Sequence, residues 1–167
     1  MHNYNMSDGG NTKDDLGEKL LCILSDYVVF KFLAQGYHWN VRGPEFTQFH
    51  NFFQEIYEDA ESAIDPTAEN LRILGYDVPF LLEDFSSLTC IEARPVGYDP
   101  IAMSASLYDA NGKILNYLMQ AFDIANSCNQ QGIANFLAER ISQHQKLNWQ
   151  IGTTIGADST VVSPNLM

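Results

Sequence analysis

Two histidines and two carboxylates carry the clearest chemical signal in this 167-residue chain. His38 and His50 lie nearly equidistant from Gly43-Pro44. If that dipeptide marks a turn between antiparallel helices, the two imidazoles reach the same height and can face each other. Neutral imidazole is a good ligand for iron or zinc. Asp65 and Glu69 are four residues apart, so on a helix they stack on one face. With His50 set at zero and about 100° per residue, they fall near ~60° and ~100°, roughly on the side of His50. They cannot share an ion with it inside one chain. Fifteen residues at ~1.5 Å each is about 22 Å of helix, against a ligand bond of ~2.0–2.2 Å. Two copies packed antiparallel across a two-fold axis would bring His38 and His50 of one to Asp65 and Glu69 of the other, and symmetry would make two such sites. Spacing alone also allows two packed rings and two solvated acids.

The elements that must position these residues are legible as helices. From Lys13, apolar residues recur at three- and four-residue steps (Leu16, Leu20, Ile23, Leu24, Tyr27), which predicts a helix to about Val41. Gly43 suits a left-handed helix end and Pro44 the first turn of the next helix. The second helix is expected from about Pro44 to Leu74, closed by Gly75 and kinked at Pro66. Residues 76–99 read as a long connection with one short helix around 80–88. Two more helices follow, from near Pro100 to about 126–131 and from Gly132 to Ile155. Two short connections and one long one predict an all-α, ferritin-like four-helix bundle with one long crossover. Its expected extent is residues 13–155, with tails at 1–12 and 156–167. His2 falls in the first tail. His144, between Gln143 and Gln145, is expected to be partly buried and structural.

Composition narrows the function classes. With 46% apolar and 18% charged residues, the chain can bury a core and is not of disordered type. No run of ~18 consecutive apolar residues predicts a membrane span, and the polar, acidic start does not resemble a signal peptide. Cys22, Cys90 and Cys128 are odd in number and lack CxxC spacing, which fits a reducing, cytoplasmic setting. The net charge is −12, and residues 45–84 hold ten acids against Arg72 alone. Such a surface repels phosphate backbones and attracts cations.

Intrasubunit di-iron bundles use Glu-x-x-His pairs on two helices, and no glutamate here has a histidine three residues later. The stretch His38-Trp39-Asn40-Val41-Arg42-Gly43-Pro44-x-Phe46-x-x-x-His50, followed by Asp65-x-x-x-Glu69, instead closely resembles the Dps miniferritin family. So do Leu107-Tyr108-Asp109-Ala110-Asn111 and the last helix through Trp149, and the likeness spans roughly residues 14–155. The resemblance implies a hollow dodecamer with tetrahedral symmetry that oxidises Fe(II), usually with hydrogen peroxide, and stores Fe(III) oxide inside. It implies an inter-subunit centre with His38 and His50 from one subunit and Asp65 and Glu69 from its partner. Trp39 matches the family's tryptophan beside that centre, which passes an electron or quenches a radical; simple packing is the other reading.

Three features depart from the family. Gln54 stands where many members carry an acid four residues after the second histidine, so a second iron should bind more weakly; Glu58 and Glu61 are nearby but displaced along the axis. Asn129-Gln130-Gln131 and Asn135 stand where the family's three-fold pores carry aspartates, with Glu139 the one acid near. The ends lack the lysine-rich tails used for DNA, and twelve copies at −12 each carry about −144, so direct DNA binding is not expected. The expected function is therefore an iron-oxidising, iron-storing cage that protects against peroxide. The alternatives are a DNA-compacting cage with a weak centre and a cage that holds zinc in the same ligands without turnover.

Overall fold

Thr12 starts the first helix with a reciprocal cap. Its hydroxyl accepts the Asp15 N–H at 3.2 Å, while Asp15 accepts the Thr12 N–H at 2.8 Å. The computed structural model describes residues 12–157. Within them lie α1 (Lys13–Asn40), α2 (Phe46–Ile73), α3 (Leu82–Leu88), α4 (Pro100–Ser127) and α5 (Gln131–Ile155), with no strand among the described residues. This is the expected all-α bundle with a short helix in its long crossover. The expected tails fall almost entirely outside the described residues; Gly156 and Ala157, assigned to the second tail, instead close α5.

Helix ends follow local chemistry. Gly75 takes a positive φ of 94°, so its N–H reaches the Arg72 carbonyl and the Tyr76 N–H reaches that of Leu71. Pro100 opens α4 behind Asp99, whose carboxylate accepts the Ala102 N–H at 2.8 Å. Two expectations shift. The second helix begins at Phe46, because residues 43–45 form a tight turn in which the Phe46 N–H bonds the Gly43 carbonyl. Gly43 does have positive φ, but Val41 is the helix cap. Pro66 lies inside α2, whose helical residues continue on both sides of it.

α1 is the spine of the core, packed on α2, α4 and α3, while α4 packs on α5. By length and composition alone α1 is long and apolar enough to cross a membrane. In the structure its apolar residues, Leu16 through Phe30, are enclosed by the other helices. Gly17 allows Tyr76 to lie against α1: a Cβ there would stand 2.4 Å from the tyrosine ring.

The core also holds a polar network that periodicity does not announce. Arg140 grips Asp59 with two N–H groups and donates through Nε to the Tyr27 hydroxyl at 3.1 Å. His144 is fully buried rather than partly so. Burial, then the Arg140 charge, push its pKa down to about 3, so the ring is neutral. Its Nδ1–H donates to Asn111 Oδ1 at 2.6 Å and its Nε2 accepts the Tyr27 hydroxyl at 3.0 Å. Every member is satisfied, as a buried network must be.

Candidate metal centre

The turn between α1 and α2 brings His38 and His50 into a ring stack, with centroids 3.7 Å apart and planes 21° from parallel. Each ring is locked by the other's backbone. His38 Nδ1 lies 2.7 Å from the His50 carbonyl and His50 Nδ1 lies 2.8 Å from that of His38. A carbonyl oxygen can only accept, so both Nδ1 atoms carry the proton. In the neutral ring each Nε2 then keeps its lone pair, the form in which imidazole binds a metal.

The end of α1 makes this possible. The last carbonyls of a helix lack an intrahelical partner. The Arg42 N–H, which would reach back to His38 if the helix continued, bonds instead to Tyr98 at 3.1 Å. The His38 carbonyl is thereby left for His50. The Arg42 guanidinium also lies 3.8 Å over the Tyr98 ring, fastening the turn to the segment before α4. Phe46 also stacks on His50, with centroids 5.0 Å apart.

Asp65 and Glu69 are exposed, farther along α2. Among the described residues of the single chain, no three His, Cys, Asp or Glu side chains converge on one point. The structure thus joins the two histidines and leaves the two acids apart, as helix rise requires. Trp39, next to His38, is 64% exposed, so packing within the chain does not account for it. Gln54, one turn beyond His50, donates to Glu58 at 2.7 Å, and Glu61 pairs with Lys31 at 3.4 Å.

The ferritin-like domain family matches residues 18–161. The chain belongs to that family. Its named relatives put it on the Dps, or miniferritin, branch. It is 27% identical over 129 residues to the "DNA protection during starvation protein" of Brevibacillus brevis, covering 77% of this chain and 86% of that one. It is 28% identical over 141 residues to an uncharacterized Haemophilus influenzae protein, covering 81% and 84%. The Dps protein of Vibrio cholerae, described as one of the ferritin-like diiron-carboxylate proteins, superposes with a TM-score of 0.82 at 24% identity, over 89% of this chain and 99% of that one.

Sequence reading of this miniferritin missed one neighbour of the centre. Tyr57, on α2, turns its ring edge-on to His38 at 5.3 Å. Its seven-residue spacing from His50, two helical turns along α2, was the available signal. The reciprocal histidine–carbonyl bonds had no sequence signal, since they depend on where α1 stops.

Proposed function

We propose that this Dps-branch protein is a ferroxidase that oxidises Fe(II) with hydrogen peroxide and stores the product as Fe(III) oxide within a dodecameric cage. The observation that carries the reading is the locked histidine pair, with both Nε2 atoms turned from the carbonyls that hold the rings and, among the described residues, no carboxylate of its own chain joining them. Such a half-site calls for a second protomer. In the proposed two-fold, His38 and His50 of one subunit meet Asp65 and Glu69 of the other.

Exposed apolar surface supports that interface. Trp39 and Phe46 flank the histidines, while Ile73, Phe80 and Leu82, at 72%, 86% and 70% exposure, lie beyond the carboxylates. Apolar patches of this kind mark surfaces that are covered in an assembly.

The chemistry follows from the donors. Carboxylates hold Fe(II) and favour the extra charge of Fe(III); the imidazoles complete the ligand set without adding charge. Two ferrous ions each give one electron to one hydrogen peroxide, its O–O bond breaks, and with two protons the products are two ferric ions and two waters. Taking both electrons together releases no hydroxyl radical, which is the protective value of the reaction. Trp39, exposed beside His38, is placed to donate an electron when one iron alone reacts. With Gln54 tied to Glu58, the second iron is held by fewer charges and stays only during turnover. The net charge of −12 per chain supports a cage that gathers cations and does not bind DNA directly, in a reducing cytoplasm.

Complementation tests the shared site. One chain carries His38→Ala with His50→Ala, the other Asp65→Asn with Glu69→Gln. Each homogeneous cage is expected to oxidise Fe(II) slowly. Cages co-assembled from both contain mixed dimers with one intact site, and they should regain activity. Activity of the first cage equal to wild type, or no recovery on mixing, would reject the assignment.

A further inference from the structure

A second cluster of reactive side chains lies where α1, the crossover and α4 meet, about 24 Å along α1 from His38. Cys22 sits one turn before Asp26 on α1, Cys90 follows α3, and Tyr117 projects from α4. The Cys90 N–H donates to Asp26 Oδ1 at 2.7 Å, and the Thr89 hydroxyl donates to the same oxygen at 2.7 Å. The Cys90 thiol donates to the Tyr117 hydroxyl at 3.1 Å. Cys22 is close enough to Cys90 and Asp26 that the charge of each acts on it. Asp26 is wholly buried, and its Oδ2 has no hydrogen-bond partner. Both cysteines are half-buried, so a small oxidant can reach them.

We propose that Cys22 and Cys90 form a peroxide-responsive dithiol, oxidised by hydrogen peroxide to a disulfide that ties the crossover to α1. The first thiol attacks one peroxide oxygen, the O–O bond breaks, and the products are a sulfenic acid and water. The second thiol then attacks the sulfenic sulfur, the S–O bond breaks, and a second water leaves. Two thiols and one peroxide thus give one disulfide and two waters. The attacking sulfur must shed its proton first, and the carboxylate of Asp26, one turn along α1 from Cys22 and bonded to the Cys90 N–H, is the base assigned to take it. Burial raises the Asp26 carboxyl above the ordinary range, which strengthens it as a base. The same surroundings set a slow rate. Burial, then the neighbouring Cys90 and Asp26, push Cys22 up to about 11. Few thiolates are present at neutral pH, so the pair should respond to sustained peroxide rather than to traces.

The test uses the full-length assembly without iron, so that it is independent of the ferroxidase reading. After peroxide treatment and denaturation, titratable thiols should fall from three per chain to one. The intact mass should fall by two hydrogens, dithiothreitol should restore it, and a peptide map should link Cys22 to Cys90. Cys22→Ser and Cys90→Ser chains should each keep both remaining cysteines reduced, while Cys128→Ser should lose both. Three results would overturn the proposal: oxygen added to a single cysteine with no link, equal thiol loss in Cys22→Ser, or three thiols surviving a dose that oxidises glutathione in the same tube.

Discussion

His38 and His50 hold each other through main-chain carbonyls, Nδ1 to oxygen at 2.7 and 2.8 Å, so the backbone of each fixes the ring of the other. Removing one imidazole leaves the carbonyl that holds the other in place, but it takes away that ring's stacking partner and one ligand of the proposed centre. Single replacements His38→Ala and His50→Ala should each lower the initial Fe(II) oxidation rate by about 10–100-fold, the usual effect of losing a ligand's orienting partner. The double replacement should cost little more than either alone. Additive losses in a double-mutant cycle, followed by ferric absorbance, would show that the rings act separately.

Gln54 and Glu58 form one unit through their 2.7 Å hydrogen bond. Gln54→Glu breaks that bond and places a carboxylate one turn from His50. Tighter binding of a second iron is expected, read as a rise in Fe(II) bound per centre by anaerobic titration. Unchanged stoichiometry would mean that position 54 does not face the ion.

Acid should weaken the fold through His144. Its pKa is about 3 in the folded chain and about 6.5 unfolded. Between these values the unfolded chain binds a proton that the native ring refuses, so stability falls as pH drops through the window. The slope is roughly 1.4 kcal/mol per pH unit. Above 6.5 the group contributes no pH dependence. Denaturation of wild type and His144→Gln across this range should show a shallower acid slope in the variant.

Gly17→Ala places a methyl 2.4 Å from the Tyr76 ring, which cannot swing freely because its hydroxyl donates to Asp14 at 2.9 Å. A loss of about 1–3 kcal/mol is expected, as for other overpacked sites. Adding Tyr76→Ala should cancel most of the extra cost. If the two changes simply add in urea denaturation, the ring is not the obstacle.

Direct DNA binding is not expected from a chain of net charge −12. In a low-salt gel shift without divalent ions, where phosphate contacts are strongest, no retarded band should form. A retarded band would mean that local charge outweighs the net.

Much of the fold was legible in the sequence because helix periodicity, Gly75 and Pro100 act locally. The three- and four-residue steps of Leu16 through Tyr27, and the long span between Gly75 and Pro100, were enough for four long helices and one crossover. The sequence also separated His50 from Asp65, since helix rise alone places them ~22 Å apart. Tertiary structure decided the rest. Whether His38 and His50 face each other depends on where α1 ends and on Tyr98 taking the Arg42 N–H, a contact across 56 positions of chain. Arg140 reads as a surface charge, yet Asp59 and Tyr27, from two other helices, hold it in the core. Cys22, Asp26, Cys90 and Tyr117 look unrelated until the crossover folds back on α1. Periodicity reports which face of a helix is buried; it carries no information about which polar groups meet there, because those partners lie on other helices.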